Sequence, residues 1–132
     1  MAAAQTIRST GPLALVVHQD DELAHTTSLA LRARGYRTFV VDVACSDCVT
    51  IERLGADLLV LVVKNDLLSL ARLLVELAHA TDAPPAMLVA DDPDATWVAA
   101  RFGIFAAPAR EREIAWAVER TRRESRRPSV PT

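Results

Sequence analysis

Aromatic residues, lysine and long apolar runs are all scarce in this sequence. Of its 132 residues, 5% are aromatic and 51% are hydrophobic, so Leu, Val and Ala must build most of the core. No apolar run approaches the roughly 18 residues of a membrane span. Residues 1–11 contain no apolar stretch of about 7 residues, which a secretory signal requires. The composition therefore predicts a cytoplasmic protein without a membrane segment.

An excess of positive charge is also missing. The net charge is −2 at pH 7, which removes the simple electrostatic argument for nucleic-acid binding by this domain alone. Lys64 is the only lysine, and arginines crowd the segment from Arg120 to Arg127. Cations at that place suit the negative end of a helix dipole. We therefore expect the arginine cluster to stabilise the end of the last helix or to belong to a basic tail or linker.

Five short apolar runs alternate with segments of helical periodicity. The predicted strands lie near 13–17, 38–43, 57–63, 86–90 and 104–106. The predicted helices lie near 22–34, 47–54, 67–80, 95–102 and 111–123. Right-handed crossovers between such strands give a parallel sheet with helices on both faces. The pattern predicts a single α/β domain over 12–124, a flavodoxin-like (βα)5 doubly wound parallel sheet of order 2-1-3-4-5, with disordered ends at 1–11 and 125–132.

Several segments resemble a bacterial response-regulator receiver domain in their order and spacing, from Leu13 to Glu124. They are Val16-Val17 before polar residues, Gly35-Tyr36, Ala56-Asp57-Leu58-Leu59-Val60-Leu61, Pro85-Ala86-Met87-Leu88 and Ala107-Pro108. The resemblance implies a module of two-component signal transduction. It also implies a homodimer or a protein partner that binds through the fourth helix, the fifth strand and the fifth helix.

The positions that receivers use for phosphorylation are all substituted. By the resemblance, the acidic pair for Mg²⁺ falls on His18 and Gln19, the nucleophile on Val62, the hydroxyl on Val89 and the lysine on Ala107. Valine has no nucleophilic oxygen, and hard cations prefer carboxylate ligands. We therefore expect a pseudo-receiver that works through protein contacts, neither phosphorylated nor an enzyme, without cofactor or metal.

A group of acids follows the strand ends and has two interpretations. The carboxyl ends of parallel strands share one edge of the sheet, where we expect Asp20, Asp21, Asp66, Asp91 and Asp92. They could form an acidic mouth for a cation or a basic partner. Alternatively, Asp91 to Asp94 act as turn and cap residues, and Asp20 to Glu22 favour the positive end of a helix dipole. A weaker hypothesis makes Asp66 or Asp20 a displaced phosphorylation site.

Cys45 and Cys48 form a C-x-x-C motif between a strand and a helix. A thioredoxin-like redox pair takes this place, so a thiol-disulfide oxidoreductase is the alternative function. Thioredoxins would need a β-hairpin where residues 95–102 have a helical pattern. Buried or idle thiols are the other interpretation.

Both tryptophans and two of the three phenylalanines lie in the last third of the chain. Trp97, Phe105 and Trp116 could pack in the core, with Trp116 beside Ile114 and Val118 on the inner face of the last helix. They could instead form the surface that binds a partner. Exposed tryptophans would favour the second interpretation.

Overall fold

Strands and helices alternate along the chain in the predicted order. The computed structural model describes residues 11–43 and 48–124, with only the backbone at 48 and 49. The strands are β1 (Leu13–His18), β2 (Arg37–Asp42), β3 (Leu58–Val62), β4 (Ala86–Val89) and β5 (Phe105–Ala107). The helices are α1 (Asp21–Ala33), α2 (Cys48–Leu54), α3 (Leu67–Ala78), α4 (Pro93–Arg101) and α5 (Glu111–Glu124).

The five strands form one parallel sheet in the order β2-β1-β3-β4-β5. This confirms the predicted flavodoxin-like architecture. β1, β3 and β4 are the inner strands, and their continuous apolar sequences fit burial on both faces of the sheet. β2 and β5 are the two edge strands.

The alternation of side chains along each strand divides the core into two layers. One layer packs under α2, α3 and α4 and includes Leu15, Leu59 and Leu88 from the inner strands. The other packs under α1 and α5 and includes Val16, Val60 and Met87. Residues one apart on a strand therefore enter different layers.

Aspartates begin three of the helices, and of these Asp92 was interpreted as a cap from the sequence. The side chains of Asp20, Asp66 and Asp92 accept backbone N–H groups in the first turns of α1, α3 and α4. Gly35 follows α1 with a φ of 92°, a conformation that costs glycine little. The starts of these three helices and the end of α1 are therefore determined by residues close to them in the sequence.

Some sequence-based predictions concern residues that the structure does not describe. Residues 1–10, 44–47 and 125–132 lie outside the described residues, and with them the predicted disordered ends and Cys45.

None of the helices in the described residues combines the length and the apolar sequence that a membrane span requires. The inward placement of Trp116 is wrong, because its side chain is 54% exposed whereas Ile114 and Val118 are fully buried.

Candidate functional site

The positions that the receiver resemblance singled out lie side by side at the carboxyl edge of the sheet. His18 is the register partner of Val62, Val62 of Val89, and Val89 of Ala107. Each ends its strand. These four residues therefore form one row across β1, β3, β4 and β5.

Three residues of this row belong to the hydrophobic core. The exposed fractions of Val62, Val89 and Ala107 are 1%, 0% and 3%, and all three pack in the layer that α1 and α5 cover. Their side chains carry only hydrocarbon groups. The row therefore offers neither a nucleophile nor a hydrogen-bond donor to a phosphoryl group at these three places.

His18 is the polar member of the row, and it is also buried. His18 is 7% exposed, and its Nδ1 atom has no hydrogen-bond partner within the described residues. Its Nε2 atom lies 3.5 Å from Oδ1 of Asp21, whose own side chain is almost fully exposed. His18 therefore has one weak polar contact and otherwise fills space at the end of β1.

Gln19 holds the loop that follows β3. Its Oε1 accepts the backbone N–H groups of Lys64 and Asp66 at 3.0 and 3.2 Å. Its Nε2 donates to the carbonyl oxygen of Asp66 at 2.8 Å. These bonds use both ends of the amide. A carboxylate here would keep the two acceptor bonds and lose the donor.

Asp20 and Lys64 form an ion pair above the row. Nζ of Lys64 donates to Oδ2 of Asp20 at 3.0 Å, while Oδ1 of Asp20 accepts the N–H of Leu23. The backbone hydrogen bond from Leu23 and then Lys64 lower the pKa of Asp20, and the bond to Asp20 raises the pKa of Lys64. The ammonium group of Lys64 is thus the cation that Asp20 binds.

The acids of the predicted mouth come together only in part. A cleft of about 320 Å³ is lined by Asp20, Asp91 and Asp92 together with Lys64, but not by Asp21 or Asp66. In the part of the chain that the structure describes, no three His, Cys, Asp or Glu residues are grouped as a metal site would require. Glu22 also lines the cleft, which therefore has four carboxylates and one ammonium group and is mostly negative.

Most of these carboxylates already hold backbone or side-chain partners. Asp66 accepts both the N–H and the hydroxyl of Ser69, which lowers the pKa of Asp66. Asp91 accepts the N–H of Ala109 at 3.1 Å, and Asp92 accepts that of Asp94. Because both carboxylate oxygens of Asp66 already accept hydrogen bonds, Asp66 is a poor candidate for a displaced phosphorylation site.

The thiols give the redox alternative no structural support. Cys45 lies outside the described residues, and Cys48 begins α2 without a described side chain. Residues 93–101 form α4 where thioredoxins would need a β-hairpin, and the described sheet is parallel throughout. The fold is therefore not that of a thioredoxin.

The two helices that contact β5 each carry an exposed tryptophan. Trp97 on α4 is 64% exposed and Trp116 on α5 is 54% exposed. Trp116 meets the ring of half-buried Phe105 edge-on, with centroids 6.0 Å apart. The guanidinium of Arg120 lies over both of these rings, and that of Arg101 lies over Trp97 at 5.5 Å. We call these five residues the aromatic edge.

The two arginines of the aromatic edge and the role of Lys64 were not predicted from the sequence. The arginines had a local signal, because Trp97 and Arg101, like Trp116 and Arg120, are four residues apart on a helix. Lys64 had none, because its partner Asp20 is 44 residues away. Such a contact depends on strand register, which local periodicity does not give.

Comparison with known proteins identifies the fold and nothing finer. No protein-family model matches the chain, and no curated protein matches it. Among solved structures, a Streptococcus pneumonia TIGR4 flavodoxin is similar, with a TM-score of 0.54 and 13% sequence identity. The match covers 85% of this chain and 98% of the flavodoxin chain. At this identity the likeness supports the flavodoxin-like fold alone.

The residues at the start of α1 do not fit a flavin phosphate. Flavodoxins bind their flavin mononucleotide at the β1/β3 switch point, and phosphates bind helix N-termini through free N–H groups. Here Asp20 already occupies the N–H of Leu23, and Asp21 and Glu22 fill the first turn with negative charge. A phosphate at this helix would face three carboxylates.

Proposed function

We propose that this protein is a receiver-like signalling module that binds another protein without being phosphorylated and without catalysing a reaction. The receiver resemblance supports a role in cytoplasmic two-component signalling. The buried apolar row at Val62, Val89 and Ala107 supports independence from phosphorylation, because a phosphoryl group would meet only hydrocarbon side chains there.

The single observation that carries the proposal is the exposure of Trp97 and Trp116 on the two helices that contact β5. Large aromatic side chains are the commonest anchors of protein interfaces, and arginine is enriched beside them. A soluble domain gains nothing from leaving two tryptophans in water. Burying each against a partner would remove a large apolar area from solvent.

The charge of the aromatic edge indicates what the partner presents. Arg101 and Arg120 stack on aromatic rings, and within the described residues neither forms an ion pair with a carboxylate. Stacking leaves the guanidinium N–H groups at the ring edge able to bind carboxylates. The partner surface therefore combines apolar groups with acidic residues. A second copy of the chain that binds through this edge is the competing partner.

The test is a capture experiment, in which the immobilised chain retains proteins from an extract of the cells that naturally make it. We expect a Trp97→Ala/Trp116→Ala double variant to lose proteins that the native chain retains. Leu68→Ala is the matched control, because Leu68 is 71% exposed on α3, away from the edge. Acetyl phosphate with Mg²⁺ should not alter capture. Equal capture by the double variant, or capture that depends on acetyl phosphate, would refute the proposal.

Light scattering separates the two kinds of partner. If the aromatic edge binds a second copy, the double variant will have a lower mass in solution than the native chain. If it binds a different protein, the mass will be unchanged while capture is lost.

A further inference from the structure

Among the residues that the structure describes, β2 is an edge strand with unusually little protection against pairing. It is six residues long, whereas the other edge strand, β5, has three. Its centre exposes two large apolar side chains on opposite faces, Phe39 at 47% and Val40 at 40%. Edge strands in soluble proteins normally carry lysine, proline or a bulge that blocks a further strand. Residues 38–41 of β2 contain neither lysine nor proline.

The backbone of β2 offers hydrogen-bonding groups at its outer side. The N–H of Arg37 donates to the carbonyl of Pro12 at 2.8 Å, so Arg37 faces β1. In a parallel pair, alternate residues bond to the neighbouring strand, so Phe39 and Val41 also face β1. Thr38 and Val40 consequently direct their N–H and C=O groups away from the sheet.

We propose that β2 pairs antiparallel with β2 of a second copy of the chain about a two-fold axis at Val40. The ten strands of the two copies would form one continuous sheet. In an antiparallel pair, outward-facing residues exchange both hydrogen bonds with the residue opposite. Val40 then lies opposite Val40 of the second copy, and Thr38 lies opposite Asp42.

The side chains favour this register over the other possible axes along β2. Only the axis at Val40 places Thr38 opposite Asp42, because an axis at Phe39 would set Thr38 opposite Val40 and an axis at Val41 would set Val40 opposite Asp42. An axis at Asp42 would place two carboxylates directly opposite each other, which is destabilising. An axis at Thr38 would oppose Val40 with Tyr36, which precedes β2, and would leave half of the strand unpaired. The axis at Val40 pairs all of residues 38–42 and opposes no like charges.

Thr38 is prepared to receive the carboxylate of Asp42. Its Oγ1 accepts a hydrogen bond from Nε of Arg32 at 3.1 Å, which leaves its own hydroxyl hydrogen to donate. The guanidinium of Arg32 adds positive charge beside the same point. Asp42 has two oxygens and about four acceptor sites, so it can bind this hydroxyl while keeping other partners.

Apolar groups border the proposed axis on both faces of the sheet. On the α1 face, Val40 lines a cavity of about 220 Å³ with His25 and Arg32. Leu29, 51% exposed, lies on the same stripe of α1 as these two residues and would face the second copy. On the other face, Phe39 would pack against Val41 of the second copy. Pairing would therefore cover all three exposed apolar side chains.

This surface is independent of the aromatic edge. β2 and β5 are opposite edges of the sheet, so a dimer through β2 leaves Trp97 and Trp116 free for another protein. The two proposals can fail separately.

The test combines sedimentation with amide hydrogen exchange of the native chain. We expect a dimer whose dissociation constant rises roughly a hundredfold or more in Val40→Lys, because two ammonium groups would meet at the axis. Val40→Thr keeps the branched shape and should remain dimeric. Leu68→Lys and the Trp97→Ala/Trp116→Ala variant should dimerise as the native chain does.

Amide hydrogen exchange in the native chain tests the β2 dimer even if a variant fails to fold. The amide hydrogens of Thr38 and Val40 should exchange rapidly in dilute samples and slowly in concentrated ones. The amides of Phe39 and Val41 should be protected in both. A native chain that is monomeric near 1 mM, or a Val40 amide whose exchange is independent of concentration, would overturn the proposal.

Discussion

Val62 and Val89 are register partners at the carboxyl ends of β3 and β4, and both side chains lie inside the layer covered by α1 and α5. In the receiver resemblance these are the places of the nucleophile and of the hydroxyl that follows it. Here they contact neighbouring apolar groups instead of a phosphoryl group. The stability of the domain should therefore depend on their being apolar.

Val62→Asp should destabilise the fold without creating a phosphorylation site. A carboxylate buried without a partner costs roughly 3–5 kcal/mol of unfolding free energy, and Val62 is 1% exposed. Urea denaturation measures the loss. Val62→Thr is the control of similar shape, and its buried hydroxyl should cost about 1–3 kcal/mol. A stable Val62→Asp protein that accepts phosphate from acetyl phosphate would contradict this account.

His18→Leu should leave stability unchanged or raise it by about 1 kcal/mol. The substitution removes a buried Nδ1 that has no partner among the described residues and a weak contact to Asp21. Replacing unsatisfied polar groups by apolar ones of similar size is often neutral or favourable. Thermal unfolding of the two proteins provides the comparison. A loss of more than about 2 kcal/mol would mean that the imidazole makes a stronger polar interaction.

Gln19→Glu should weaken the link between β1 and the loop after β3. The new carboxylate cannot donate to the carbonyl of Asp66, which now accepts Nε2 at 2.8 Å. We expect a loss of about 1 kcal/mol and faster amide exchange at Lys64 and Asp66. Gln19→Ala should loosen the same amides further, because it removes all three hydrogen bonds. Unchanged exchange in both variants would refute the bridging role.

Acid should destabilise the protein partly through Asp66. The hydroxyl and the N–H of Ser69 lower the pKa of Asp66 below its ordinary 3.8. A carboxyl with a lowered folded pKa stabilises fully above the unfolded value and loses this contribution as the pH falls through the folded one. Ser69→Ala should therefore reduce stability at pH 7 and reduce it less at pH 2. Parallel loss at both pH values would show that the carboxylate is not involved.

The fold was predictable from local sequence patterns. The continuous apolar runs of β1 and β3 indicated buried parallel strands, and Asp92 before α4 indicated a helix start. Asp20, Asp66 and Asp92 act as caps because their short side chains reach N–H groups two or three residues ahead. Interactions over so few residues do not depend on tertiary structure.

The details of the site depended on contacts between distant residues. Gln19 bonds to residues 45 and 47 positions away, and these meet only once β1 and β3 are in register. The placement of Trp116 was an avoidable error. Ile114 and Val118 are each two residues from Trp116, and two residues of helix rotate a side chain by about 200°. The helical period therefore directs Trp116 away from the core.

The most direct test of the proposed phosphorylation-independent function is an amide NMR titration with Mg²⁺ and beryllofluoride, which mimics a phosphoryl group bound to a receiver. We expect no shifts at His18, Val62 and Val89, because Val62 and Val89 are buried and apolar and His18 supplies no carboxylate. Shifts centred on the ends of β1, β3 and β4 would reveal a working phosphoryl site and refute independence from phosphorylation.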